Sequence, residues 1–120
     1  MVTLWSEKVL DHFERPRNAG RLAEADWTGK VENPVCGDEL EISVRRGEVI
    51  EAVGFAARGC VASMACGSAL TELLLGKRKG ELGAIRAAEV EAAVGGLGSA
   101  SKHAAVLAAD VVRKLEREWK

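Results

Sequence analysis

Two cysteines next to glycines are the residues of this sequence with the clearest chemical potential. Cys36 stands two positions before Asp38, with Gly37 between them, and Cys60 follows another glycine. The imidazole of His103 adds a nitrogen donor nearer the carboxyl end. Two thiols, a carboxylate and an imidazole form a donor set that suits a four-coordinate metal ion or an iron–sulfur centre.

The local backbone expected around these residues favours their convergence. In an extended chain, side chains two positions apart point the same way, which places Cys36 and Asp38 together. Gly37 permits a positive φ and close approach of a bulky centre. Cys60 lies at a predicted helix start, where unpaired amides stabilise a thiolate. His103 lies in the first turn of the last predicted helix, so three turns or helix starts can meet at one centre.

Each residue also has a simpler interpretation when it is taken alone. A cysteine is often a small buried apolar group, and aspartate often forms turns. Cys66 lies six residues after Cys60, about 9 Å farther along a helix and well around it, so we expect it to pack in the core. We expect His12 to face solvent on the first helix and not to be a ligand.

Composition limits the possible classes of function. The 120 residues predict one domain, 1–120, and 48% are hydrophobic, yet no apolar run reaches membrane-spanning length. Without a signal-peptide pattern, the expected location is cytoplasmic. Seventeen basic and 18 acidic residues give a net charge of −1, which attracts neither nucleic acid nor an anionic membrane. The 3 cysteines are expected to be free or metal-bound.

The elements that position these residues begin with a short amphipathic helix. Ser6 is its predicted N-cap, and Pro16 should end it near Glu14 or Arg15. Its predicted apolar face comprises Val9, Leu10 and Phe13. A loop follows this helix.

Strands come next, with an apolar–polar alternation of period two. One predicted strand carries Leu40, Ile42 and Val44 on one face, and a turn at 46–47 leads to a returning strand through 49–55. The stretch around 30–32 predicts a third, antiparallel strand. The result is a small meander.

The remainder of the chain is predicted to be helical. One helix starts after Cys60 and ends at Gly76, and a shorter one covers 88–94 before a glycine pair. The final helix begins near Ser99 or Ser101. Its apolar face comprises Leu107, Val111, Leu115 and Trp119. The predicted fold class is therefore α+β, a three-stranded antiparallel sheet with helices packed on one face.

Several motifs occur in the order and spacing of one known family. They are RPRNAG at 15–20, ENPVCGD at 32–38, GC at 59–60 with TE at 71–72 and GK at 76–77, and KH at 102–103 with LA at 107–108. From about Ser6 to Lys114 the chain resembles the IscU family of iron–sulfur cluster assembly scaffolds, related to the amino-terminal domain of NifU. The resemblance implies an IscU/SufE-like fold whose site residues are Cys36, Asp38, Cys60 and His103.

The resemblance also implies a function without catalysis. Such a scaffold or carrier holds a labile [2Fe–2S] cluster or iron, with zinc possible in the same site. It receives sulfur from a cysteine desulfurase and delivers the centre to recipient apoproteins. Thiolates bind iron well, whereas carboxylate and imidazole ligands are given up more easily, which suits transfer.

Two departures from the family keep other functions open. The family's third essential cysteine follows the histidine directly, and here Ala104 stands in that place. The proline-rich chaperone-recognition segment is replaced by LGSAS at 97–101, which does not support a chaperone contact. One alternative is a sulfur-transfer accessory that accepts persulfide on Cys36 or Cys60. Another is a regulatory or interaction protein of cluster assembly that builds no cluster.

Overall fold

The computed structural model describes residues 5–35 and 37–119 and has the predicted α+β architecture. In chain order the helices and strands are α1 (Glu7–Glu14), β1 (Trp27–Glu32), β2 (Glu39–Arg46), β3 (Ile50–Arg58), α2 (Val61–Leu74), α3 (Ala87–Ala93) and α4 (Lys102–Glu118). Short 3-10 turns, which the sequence did not predict, cover Lys79–Ala84 and Ser99–Ser101. None of the helices described is both long and apolar enough to cross a membrane.

The sheet is the predicted antiparallel meander, in the order β1-β2-β3. Its β1–β2 pairing runs from Trp27 opposite Val44 to Glu32 opposite Glu39. The predicted third strand is β1, which begins earlier than the stretch around 30–32 indicated. The sheet's buried apolar residues include Leu40, Ile42, Val44, Val53 and Phe55.

The free edge of β3 is covered by the segment that follows α1. Phe55 donates its backbone N–H to the Asn18 carbonyl (3.1 Å) and accepts from the Gly20 N–H (2.7 Å). Gly54 makes this approach possible, because a Cβ at that position would lie 2.3 Å from the Gly20 carbonyl oxygen. The segment thus satisfies edge groups that would otherwise be open to pairing with another chain.

Small side chains on α2 let this helix lie close to the sheet. A Cβ on Gly67 would lie 2.7 Å from Phe55 Cδ2 and 3.0 Å from Leu40 Cδ1. Helix α4 closes the core with its predicted apolar face, of which Leu107, Val111 and Leu115 are buried. Trp119, the last predicted member, is also buried but lies one residue beyond the end of the helix. This packing fixes the starts of α2 and α4, which carry two of the predicted ligands.

Helix α1 has the predicted ends. Ser6 is its N-cap and accepts a hydrogen bond from the Val9 N–H (3.0 Å). The Ser6 hydroxyl also donates to the Val94 carbonyl, which ties α1 to the end of α3. The predicted apolar face is only partly correct, because Val9 is fully buried whereas Phe13 is 40% exposed.

The expectation that His12 faces solvent was wrong. His12 shares the buried side of α1 with Val9 and is 6% exposed. Its Nδ1 lies 2.7 Å from Ser68 Oγ on α2, and its Nε2 lies 3.6 Å from a Glu72 carboxylate oxygen. Burial lowers the pKa of His12, and the nearby positive charge of Arg17 lowers it further.

This lowered pKa predicts a loss of stability in mild acid. Below pH 6.5, the ordinary histidine value, the unfolded chain binds a proton at His12 more readily than the folded chain does. The free energy of unfolding should therefore fall as pH drops from about 7 to about 5, with a contribution from His12 of at most about 1.4 kcal/mol per pH unit. Urea unfolding of the unmodified chain and of His12→Gln should show a flatter pH profile for the variant. Parallel profiles would contradict the assignment.

Candidate metal centre

The structure brings together three of the four predicted ligands. The ligand atoms of Asp38, Cys60 and His103 all lie within 4.8 Å of one another. Asp38 Oδ2 is 3.0 Å from His103 Nε2 and 3.4 Å from Cys60 Sγ, and the sulfur is 3.8 Å from that nitrogen. Cys36 lies outside the described residues, so its place in this group stays a prediction.

The loop between β1 and β2 positions Asp38 in the site. At its base, the Asn33 N–H donates to the Asp38 carbonyl (2.7 Å), and the Asn33 carbonyl accepts from the Gly37 N–H (2.7 Å). The Asn33 side chain also accepts from the Val35 N–H (2.9 Å). Gly37 has the positive φ (+77°) that the sequence predicted it could supply. These bonds fix Asp38 at the start of β2.

A second glycine makes room for the carboxylate at the start of α2. Gly59 has φ +136°, and a Cβ there would lie 2.2 Å from Asp38 Oδ1. Cys60 follows as the N-cap residue of α2 and is partly exposed. The short distance between Asp38 and Cys60 therefore depends on the absence of a side chain at position 59.

Ser63 belongs to the site, although no sequence motif indicated it. Its hydroxyl donates to Asp38 Oδ2 (2.6 Å) and lies 3.6 Å from Cys60 Sγ. The side chain is 2% exposed. A signal was present in the sequence, because residues three apart at a helix start lie on the same side of the helix, and Cys60 and Ser63 have that spacing.

Hydrogen bonds keep the buried Asp38 in its anionic form. Burial by itself raises the pKa of this carboxyl group, but the bonds from Ser63, His103 and Cys60 outweigh it and lower the pKa below its ordinary value. Asp38 is 5% exposed. The site therefore presents a desolvated carboxylate beside a thiol and an imidazole.

Cys66 lies outside this group, as the helical spacing predicted. It is fully buried in the core, and burial raises the pKa of its thiol to about 12. A thiol that stays protonated and inaccessible is a poor nucleophile and a poor metal ligand. Among the described cysteines, only Cys60 is placed for chemistry.

Two neighbouring residues at the start of α4 have different surroundings. The His103 side chain is 30% exposed, whereas Ala104 is 1% exposed and packs in the core. Lys102 anchors the same turn through its Nζ, 3.0 Å from a Glu91 carboxylate oxygen. The position after the histidine therefore contributes to packing and not to the donor set.

An open cleft of about 320 Å³ lies beside the donor group. His103 lines both the cleft and the site, and Val106 on the next turn of α4 is 49% exposed. The remaining lining residues are Glu32, Asn33, Pro34, Leu107 and Asp110. Solvent or another molecule can therefore approach the donor group from this side.

Comparison with known proteins identifies the family of this chain. The family model of the NifU-like N terminal domain matches residues 4–118. The iron-sulfur cluster assembly scaffold protein IscU 1 of Archaeoglobus fulgidus is 41% identical over 112 residues, 92% of this chain and 73% of that protein. The protein of the same family name, IscU, from Escherichia coli is 34% identical, over 97% of this chain and 94% of its own. The chain belongs to the NifU-like N-terminal domain family.

A solved structure supports the fold. The crystal structure of a putative iron-sulfur cluster assembly scaffold protein for the SUF system, from Fervidobacterium islandicum, superposes with a TM-score of 0.62. The match covers 95% of this chain and 85% of that one at 24% sequence identity. Together with the observed sheet and helices, it confirms the fold class that the sequence predicted.

The contact between Gly59 and Asp38 can be tested by adding one methyl group. Gly59→Ala should displace the carboxylate and weaken its hydrogen bonds, so the pKa of Asp38 should rise, as carboxyl NMR titration would show. The variant should also lose about 1–3 kcal/mol of stability. Gly76→Ala is the matched control, since Gly76 also has a positive φ (+80°) but no atom within 4 Å of a Cβ. An unchanged Asp38 titration in Gly59→Ala would contradict the contact.

Proposed function

We propose that this chain is an iron–sulfur cluster assembly scaffold or carrier. Its cargo is a [2Fe–2S] cluster or iron, held by Cys36, Asp38, Cys60 and His103 until transfer to a recipient apoprotein. The observation that carries this proposal is the convergence of a thiol, a carboxylate and an imidazole from three separate elements within 4.8 Å. The IscU relatives, which are iron-sulfur cluster assembly scaffold proteins, support it.

The donor chemistry fits a cargo that must be released. Thiolate sulfur binds iron strongly, whereas an oxygen donor from Asp38 and a nitrogen donor from His103 exchange more readily. Cys60 and His103 are both partly exposed, so an incoming acceptor can reach the centre. Zinc fits the same mixed donor set and would occupy it as an alternative ion.

The proposed cycle needs one partner that supplies sulfur and others that receive the finished centre. The chain itself catalyses no reaction. A cysteine desulfurase would deliver sulfur, and recipient apoproteins would remove the finished centre. The open cleft beside His103 gives both kinds of partner a route to the donor group. A chaperone contact is not part of the proposal, because LGSAS at 97–101 lacks the proline-rich motif.

One observation favours a second function, that of a persulfide-accepting accessory. Ala104 is buried on α4 and supplies no thiol beside His103, which leaves Cys36 or Cys60 as the thiol that would accept the persulfide. One accessible thiol, such as Cys60, is sufficient to carry a persulfide sulfur without any iron. The two functions differ in whether iron binds.

Anaerobic reconstitution with iron, cysteine and a desulfurase tests the proposal. The unmodified chain should acquire iron, acid-labile sulfide and visible absorption, and it should pass the cluster to an apo-ferredoxin. Cys60→Ala should lose most of the bound iron. Cys66→Ala is the matched control and should keep its iron, because Cys66 lies in the core away from the donor atoms.

Two outcomes of that experiment would overturn the assignment. Equal iron retention in Cys60→Ala and the unmodified chain would remove the described site from the function. Persulfide on Cys60 in the unmodified chain, with no bound iron, would replace the scaffold by the accessory function. Mass spectrometry of the intact protein distinguishes the persulfide from the free thiol.

The substitution Ala104→Cys tests whether a missing thiol limits the chain. If it does, cluster yield per chain should increase under the same reconstitution. Because Ala104 is buried, the added sulfur should cost about 1–3 kcal/mol through overpacking. Ala105→Cys controls for that cost, since Ala105 is equally buried. No cluster in either Ala104→Cys or the unmodified chain would favour a regulatory or interaction function.

A further inference from the structure

We propose that Ser63 is a positioning residue that holds the Asp38 carboxylate in its ligand orientation when a metal occupies the site. The inference rests on the proposed function, because it assumes that Asp38, Cys60 and His103 bind the cargo. Cys60 and His103 cannot take this role, because they are candidate ligands of the metal themselves.

Asp38 Oδ2 accepts hydrogen bonds from three side chains. The donors are Ser63 Oγ at 2.6 Å, His103 Nε2 at 3.0 Å and Cys60 Sγ at 3.4 Å. Two of these donors are themselves candidate ligands. A sulfur or nitrogen atom that binds a metal gives up the proton through which it donated. Loading the site therefore removes the bonds from Cys60 and His103 and leaves the bond from Ser63.

The position of Ser63 is set by the fold and not by the site. Its backbone N–H donates to the Cys60 carbonyl (3.1 Å) in the first turn of α2, and its side chain is 2% exposed. Burial leaves little room for a water molecule to take over the hydroxyl's bond. The hydroxyl is thus a fixed donor, already in place before any metal arrives.

The opposite oxygen of the carboxylate, Oδ1, faces Gly59. A Cβ on Gly59 would lie 2.2 Å from Asp38 Oδ1. The Ser63 hydroxyl therefore holds one oxygen of the carboxylate, while the other occupies space that a side chain at position 59 would fill. Groups that orient a ligand in this way contribute about 10–100-fold to metal affinity.

Cobalt binding measures this contribution without requiring cluster assembly. Titration of the full chain with Co²⁺ gives an affinity from the ligand-field and thiolate charge-transfer bands. We expect Ser63→Ala to bind Co²⁺ about 10–100-fold more weakly. Alanine favours a helix, so the variant should fold, which circular dichroism checks.

The matched control removes a different buried hydroxyl from the same helix. Ser68 is fully buried and bonds to His12 Nδ1 and the Arg17 N–H, remote from the donor atoms in its contacts. Ser68→Ala should keep the cobalt affinity of the unmodified chain, even where it lowers the unfolding temperature. A general effect of losing a buried serine would weaken both variants alike and would overturn the proposal.

A double-mutant cycle shows whether Ser63 acts through Asp38. If it does, adding Ser63→Ala to Asp38→Ala should leave the cobalt affinity unchanged, since the carboxylate is already absent. Additive losses of cobalt affinity would show that Ser63 does not act through Asp38 and would overturn the proposal. Unchanged affinity in Ser63→Ala alone would overturn the role of Ser63 and leave the proposed function standing. Failure of the unmodified chain to bind Co²⁺ would overturn both.

Discussion

The buried carboxylate of Asp38 is the constraint on which the site depends. A charge removed from water costs several kcal/mol unless hydrogen bonds compensate it. Here the compensation comes from Ser63 and Cys60 at the start of α2 and from His103 at the start of α4. The β1–β2 loop and two helix starts must therefore meet, and the packing of α2 and α4 on the sheet brings them within reach. Two of the groups that stabilise this charge, Cys60 and His103, also belong to the candidate donor set.

This arrangement combines a fixed carboxylate with an accessible thiol and imidazole. Asp38 is held by the loop closure at Asn33 and by the close approach of Gly59. Cys60 and His103 keep part of their surface open, and the cleft beside His103 leads to solvent. For a protein that must take up a centre and release it, a rigid oxygen donor beside partly exposed sulfur and nitrogen donors is physically appropriate. Cys66 shows the contrast, since its burial removes it from such chemistry.

The residue after His103 distinguishes this chain from the family pattern that its sequence resembles. Ala104 turns toward the core and is 1% exposed, whereas the neighbouring imidazole faces the site. A thiol would be larger than the methyl group that the core accommodates there. The chain has kept the fold and the carboxylate–imidazole–thiol group while filling this position with a packing residue. The chain therefore lacks the thiol that the family pattern has at this position.

The sequence alone determined what depends on local or periodic signals. Pro16 ended α1, the alternation of Leu40, Ile42 and Val44 gave β2, and the motifs around Cys60 and His103 indicated the site. Tertiary structure decided what depends on contacts between distant residues. Buried His12 has a hydrogen-bond partner in Ser68, which is 56 positions away in the sequence. Ser63 belongs to the site because the fold brings it to Asp38, which is 25 positions away. Helical periodicity does not by itself tell whether a polar residue is buried. That depends on a partner across the core, and a single sequence does not identify this partner.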